Sequence, residues 1–141
     1  MMKLAAFLAF TLSGVLSSPV DLQERAKIDI TGNNCRTACG AIGGGPNGAD
    51  CSALANEIAA MPGRIGVGAS SSRIFTHGSC TIAFFNFNPD NTYLYNADYL
   101  AQVGRIVDDT CVNNGGFQSG KCIFGDDTAP NGQVFIQVSH S

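Results

Sequence analysis

The sequence has 141 residues, enough for one domain and too few for two. Its formal charge is −3, with 8 Lys and Arg against 11 Asp and Glu. The basic residues are scattered singly, which argues against nucleic acid or an anionic membrane as an electrostatic partner. Charged residues make up only 13 % of the chain, and no Asn-x-Ser/Thr acceptor site is present. Surface polarity must therefore rest on Asn, Gln, Ser, Thr and Asp.

The chain opens with Met1-Met2-Lys3, then an apolar run from Leu4 to Leu12, then small residues between Ser13 and Ser18. That is the three-part pattern of a secretion signal, with Val15 and Ser17 at positions −3 and −1 for a cut after Ser17. The run is roughly half the ~20 residues that a spanning helix needs. No later segment is long enough either, so no stable membrane insertion is expected. Residues 1–17 are read as a signal peptide, 18–26 as a polar leader and 27–141 as the domain. Counted from Ser18, 7 basic residues face 11 acidic ones, a net charge of −4.

Residues 27–31 alternate and predict a first strand. Residues 35–48 are rich in Gly, Asn and Pro. The Gly43–Gly48 run lacks the Lys and Ser/Thr of a phosphate loop and reads as a connection. Asp50 predicts the N-cap of a helix running to about Met61, with Cys51, Leu54, Ala55 and Ile58 on one face and Pro62-Gly63 as its stop. Residues 64–68 read as an irregular strand or a loop. Residues 72–76 and 79–87 predict two strands joined by a tight turn at His77-Gly78. Asn88-Pro-Asp-Asn91 is a turn. Asn96 predicts the N-cap of a second helix to about Val112, with Leu100, Val103, Gly104, Val107 and Cys111 as its stripe. Gly104 is expected to allow a close contact. Asn113-Asn-Gly-Gly116 ends that helix. Residues 120–124 read as a short strand or its entry, 126–132 as a loop and 133–138 as the last strand.

This order, β-α-β-β-α-β, predicts an α+β two-layer sandwich. It would be a ferredoxin-like (split β-α-β) antiparallel sheet with two helices on one face, stabilised by disulfides. All six cysteines lie after the leader: Cys35, Cys39, Cys51, Cys80, Cys111 and Cys122. An even count in a secreted chain of this size reads as a disulfide framework. Zinc is the competing reading, but Cys35 and Cys39 find no second close pair and only two histidines are present. The topology gathers all six at one end of the sheet. Cys51 and Cys111, on the core-facing stripes of neighbouring helices, are expected to pair, leaving Cys35, Cys39, Cys80 and Cys122 for two further bridges.

Several segments together resemble a known family. They are Asn34-Cys-Arg36, Asp50-Cys-Ser-Ala-Leu54, His77-Gly-Ser-Cys-Thr-Ile-Ala-Phe84, Leu100 to Val107 with Cys111, Gly120-Lys-Cys122, and the final strand to Val138. The Asp-Cys helix start, the Gly-Ser-Cys strand and the Lys-Cys strand resemble the fungal necrosis-inducing effectors, small secreted proteins of plant pathogens. The Asn-Cys-Arg start and the Gly132-Gln-Val end are similar to the smut killer toxins, whose sandwich has the same helix-over-sheet plan. The resemblance spans residues 33–138. The chain has fewer cysteines and basic residues than the toxins, and none of the effectors' tryptophan. The resemblance implies fungal origin, secretion, virulence or rivalry, and action by binding a host or competitor protein or cell-surface component. It carries over no catalytic residue.

The catalytic alternative is a small secreted hydrolase such as a ribonuclease, with His77, Arg73 and Glu57 around a phosphate; a bland structural or adhesive role is a third reading. His140 lies next to the C-terminus and is expected to fray. The acid pairs Asp108-Asp109 and Asp126-Asp127 lack the alternating spacing of a calcium loop and read as solvated turn acids. No metal or cofactor is expected. Phe135 alternates against Val134, Ile136 and Val138, and Phe85 and Phe87 alternate against Ile82 and Phe84. Helices on one sheet face would leave Phe85, Phe87 and Phe135 on the other, as a candidate partner or homodimer surface. The competing expectation is that residues 88–96 cover it.

Overall fold

The computed structural model describes residues 27–125 and 132–141. The expected signal peptide, the polar leader, Asp126, Asp127 and most of the 126–132 loop lie outside the described residues. Among the described residues, eight strands form two sheets. The larger contains β2 (Cys35–Cys39), β7 (Gly120–Phe124), β8 (Val134–His140), β5 (Cys80–Asn86) and β4 (Ser71–His77), in that order and antiparallel throughout. The smaller contains β1 (Lys27–Asp29), β6 (Thr92–Asn96) and β3 (Arg64–Val67), with β1 parallel to β6. Helix α1 spans Gly48–Ala59 and α2 spans Ala97–Val107. The latter continues in wider π-type winding over Asp108–Asn113.

The α+β class, the two helices and the antiparallel main sheet agree with the sequence reading. The strand order does not reproduce the ferredoxin-like plan. That plan sets the first crossover's strands on either side of a single strand. Here the strand entering α1 is β2, at the far edge, and β7, β8 and β5 separate it from β4. The expected first strand, over residues 27–31, is β1 and belongs to the smaller sheet. Only its three residues pair, and the strand that enters α1 is the edge strand β2.

Both helices and the smaller sheet pack on the same face of the larger sheet. Alternation along β5, β8 and β7 turns Ile82, Phe84, Ile136, Val138, Cys122 and Phe124 to that side, all buried. Helix α1 presents Cys51, Leu54, Ala55 and Ile58, the face read from the sequence. Helix α2 presents Leu100, Gly104 and Val107. A Cβ on Gly104 would stand 3.0 Å from Ile82 Cδ1, so this glycine does permit a close helix–sheet approach. From the smaller sheet, Tyr95 meets Phe84 and Phe124 edge-on, with centroids 6.0 and 5.8 Å apart. The hairpin joining β4 to β5 has the two central residues Gly78 and Ser79. Gly78 has φ 55°, a value that type II′ turns require at that position.

The start of α1 differs from expectation. Asn47 is the cap, its Oδ1 accepting from Ala49 N at 2.8 Å. Asp50 instead accepts from the Ser79 N–H and hydroxyl at 2.9 and 2.7 Å, tying α1 to the hairpin turn.

Three disulfides join Cys35 to Cys122, Cys39 to Cys111 and Cys51 to Cys80. They include every cysteine of the chain, and such bonds persist in oxidising compartments. The expected Cys51–Cys111 bridge is not formed. Cys51 opens α1 directly over Cys80, at a Cα distance of 5.1 Å, and Cys111 is taken by Cys39 at the end of β2. Nor do the six gather at one end. Cys80 is level with His140, whereas Cys122 is level with Ile136, four residues back along β8 and about 13 Å away. The reason is that Cys35 and Cys39 lie on a strand along the sheet and not on a loop beyond it.

Asn86 ends β5 with its side chain turned to the core and fully buried. Its Nδ2 donates to the carbonyls of Val67, Gly68 and Asn91 at 3.2, 3.0 and 2.8 Å, and its Oδ1 accepts from Asn88 N at 2.9 Å. One amide thus joins the end of β3, the link to β4 and the turn before β6. Asn86→Leu fills similar space and leaves these groups unmatched, so it should cost at least about 2 kcal/mol. Urea unfolding of the variant beside the parent measures this. An unchanged midpoint would show that the amide does not hold the sheets together.

Candidate binding surface

The register of the larger sheet determines what its other face displays. Phe135 on β8 stands opposite Phe85 on β5 and opposite Ile123 on β7. Phe87 follows β5, and its N–H donates to Gln133 O at 2.8 Å, which keeps the chain beside β8. The three rings form one cluster. Centroids are 5.0 Å apart for Phe85–Phe135, 5.6 Å for Phe87–Phe135 and 6.0 Å for Phe85–Phe87. Phe135 is the base of the cluster, 9 % exposed, while Phe87 is 59 % exposed. Lys121 Nζ lies 4.8 Å from the centre of the Phe135 ring, in cation–π range. The next row carries Lys121, Gln137, Ala83 and Ile74, the last also 59 % exposed.

Phe85, Phe87 and Phe135, the residues read from the sequence, therefore do meet. Of the segment 88–96 expected to cover them, the 92–96 part does not, because β6 packs on the opposite side of the sheet and buries Tyr93 and Tyr95 in the core. Sequence reading missed Lys121, Ile123 and Ile74. The alternation of residues 120–124 carried the signal for the first two, since Cys122 and Phe124 claim the core side.

The hydrolase trio is only half assembled. His77 Nδ1 lies 3.1 Å from Glu57 Oε1, both side chains being about half exposed. Arg73 sits four residues back along β4, about 13 Å away, with its guanidinium 5.5 Å from the Phe75 ring centre. His140 is the last residue of β8, opposite Cys80, and not a frayed end. Among the described residues, no group of three His, Cys, Asp or Glu could hold a metal ion. Among the same residues, no helix is long and apolar enough to cross a membrane.

The acid pair at the end of α2 departs from the expectation of solvated turn acids. Asp109 is exposed, but the π-type winding turns Asp108 inward to 5 % exposure. It lines a cleft of about 290 Å³ with Gly48, Ser52, Arg105 and Asn113. Its Oδ2 accepts from Asn113 Nδ2 at 2.9 Å, and its Oδ1 has no hydrogen-bond partner. Burial pushes the Asp108 carboxyl above its ordinary value; the Asn113 amide acts against this, and the nearby charge of Asp109 adds to it. Asp50 moves the other way. The N–H and hydroxyl of Ser79 hold its carboxyl low, burial opposes them, and the charge of His77 assists.

Compared with known proteins, the chain matches no family model and no curated protein.

The two aspartates make opposite contributions to stability against pH. Asp108 binds its proton more tightly folded than unfolded. Its contribution is therefore fullest below about pH 4, the unfolded value, and is lost as pH rises through the folded value. The Asp50 contribution is present above about pH 4 and is lost as pH falls through the lowered folded value. Asp108→Asn removes the loss at rising pH. Thermal melts from acid to neutral pH should show this variant gaining on the parent above about pH 4. A constant difference at all pH values would show that Asp108 does not titrate as its burial requires.

Proposed function

We propose that the protein is a secreted fungal effector or toxin-like protein. In this reading it acts without catalysis, by binding a host or competitor protein or cell-surface component. The observation that carries it is the stacked cluster of Phe85, Phe87 and Phe135 on the sheet face that no described helix or strand covers, with Ile74 and Lys121 on the same face. Aromatic side chains offer large contact area at low entropic cost and are enriched at the energetic centres of interfaces. A small monomer rarely leaves such side chains together on its surface without a use for them. The three disulfides suit an extracellular life, as does the secretion signal read from residues 1–17. The necrosis-inducing effector and killer-toxin resemblance supplies the biological setting.

The second reading is a small secreted hydrolase, such as a ribonuclease, and the His77–Glu57 contact is what favours it. That pair alone lacks the cation that a phosphate transition state requires nearby.

The readings separate by substitution. Purified protein is infiltrated into plant tissue and, in parallel, applied to competing fungi. Phe87→Asp changes a half-exposed ring and should leave the melting temperature unchanged while weakening any cell response by tenfold or more. His77→Ala should leave the response intact. The opposite pattern, with activity lost at His77 and kept at Phe87, would replace binding by catalysis.

A further inference from the structure

Among the described residues, strand β4 is an edge, hydrogen-bonded only to β5. Its hairpin turn has two residues, so His77 and Cys80 form a hydrogen-bonded pair, and alternation makes Phe75–Ile82 and Arg73–Phe84 the same. The backbone groups of Ser72, Ile74 and Thr76 therefore point away from β5. Among the described residues, no backbone hydrogen bond from another element reaches them. Edge strands are ordinarily blunted by proline, bulges or inward-turned charge. Here the seven residues Ser71–His77 contain no proline and pair with β5 without interruption, and the first four are all exposed. The one formal charge, Arg73, is on the helix side of the sheet but is exposed there, its guanidinium over the ring of Phe75.

The chemistry of this edge is complementary to itself. We infer that two copies of the chain join antiparallel through β4 about a two-fold axis at Ile74, making one continuous sheet. In that register Ser72 faces the partner's Thr76, Ile74 faces the partner's Ile74, and Thr76 faces the partner's Ser72. Every outward backbone group then meets a counterpart. Arg73 falls opposite the partner's Phe75 in the closer, non-hydrogen-bonded type of pair, which extends the cation–π contact across the interface.

Neighbouring registers fail on inspection. An axis at Arg73 opposes two guanidiniums and sets Thr76 against Ser70, which lies at φ 54° and outside the strand. An axis at Phe75 sets Ser72 against the turn glycine, Gly78. The other edge, β2, is a weaker candidate. It has five residues, no exposed large apolar side chain, and an Arg36 that would face only Ala38 in the self-paired register centred on Thr37.

Ile74 and Ser72 share the face that carries the phenylalanine cluster. The dimer therefore displays two clusters on one surface, about 25 Å apart from the strand spacing and rise. Such a surface would engage a repetitive target with avidity. The dimer itself stands independently of the effector reading.

The overlap is short, which places the association in the weak class below about 1,200 Å². Sedimentation equilibrium of the purified protein should show a reversible dimer at sub-millimolar concentration. Ile74→Lys and Arg73→Glu should each weaken it at least tenfold, whereas Phe87→Asp should leave it unchanged. Crosslinking tests the register. Facing residues at the axis have Cα atoms about 5.5 Å apart, within disulfide reach. Ile74→Cys should therefore give a covalent dimer with oxidised glutathione. Ser72→Cys should not, because its copies lie about 13 Å apart along the strands. A monomer at all concentrations would overturn the inference. So would equal crosslinking at both positions, or a dimer lost with Phe87→Asp and kept with Ile74→Lys.

Discussion

The side-chain amide of Asn86 turns inward at the end of β5, and the displayed surface depends on that turn. Strand alternation then leaves Phe85 and Phe87 no choice but the opposite face. The amide meets the carbonyls of Val67, Gly68 and Asn91 and the N–H of Asn88, groups that belong to the links between the two sheets. A buried polar group with all its partners present specifies one arrangement, because each alternative leaves something unmatched. Asn88 extends the constraint: its Nδ2 donates to Gln133 Oε1 at 3.0 Å, just before β8 brings Phe135 beneath Phe85 and Phe87.

The disulfides act on the other side of the sheet. Cys51–Cys80 fixes the start of α1 over β5, and Asp50 reinforces the join by accepting from the Ser79 N–H and hydroxyl. Cys35–Cys122 and Cys39–Cys111 hold both ends of the edge strand β2, whose residues contribute no large apolar side chain to the core. The sequence separations of these two bonds, 87 and 72, are long, and bonds of that span restrict the unfolded chain most. The opposite edge, β4, has no such fastening. The sheet is thus secured along one margin and open along the other.

Much of this was legible in the residues. Regular apolar spacing revealed α1 and α2, and the burial of Cys51, Leu54, Ala55, Ile58, Leu100, Gly104 and Val107 follows it. Strong alternation bounded by turn residues revealed β4, β5 and β8. What escaped was held by tertiary contact against weak local preference. Strand β2 carries two disulfide cysteines and lies between Gly- and Asn-rich segments, so nothing local marks it; β7 supplies its ladder. Strand β6 did carry a signal in Thr92-Tyr-Leu-Tyr95, which follows a turn too closely to stand out from it. The disulfide partners escaped because they depend on strand order. Placing β2 at the far edge moves Cys39 to Cys111 and leaves Cys51 facing Cys80.

The aromatic cluster was foreseeable because it needs only period two and one covered face. Its neighbours needed the register. The same reasoning separates the two functional readings. The carboxylates that a catalytic reading would recruit are bound to structural partners: Asp50 to Ser79, Asp29 to Arg64 and Thr31, and Asp108 to Asn113. Glu57 meets His77 in a half-exposed contact and, among the described residues, forms no ion pair with Lys or Arg, so water competes for both. The Phe87 and Ile74 side chains, in contrast, stand in water with apolar neighbours and no partner to satisfy. Water is expelled there only if another surface arrives, and this is the physical ground on which binding is proposed for the sheet face that no described helix or strand covers.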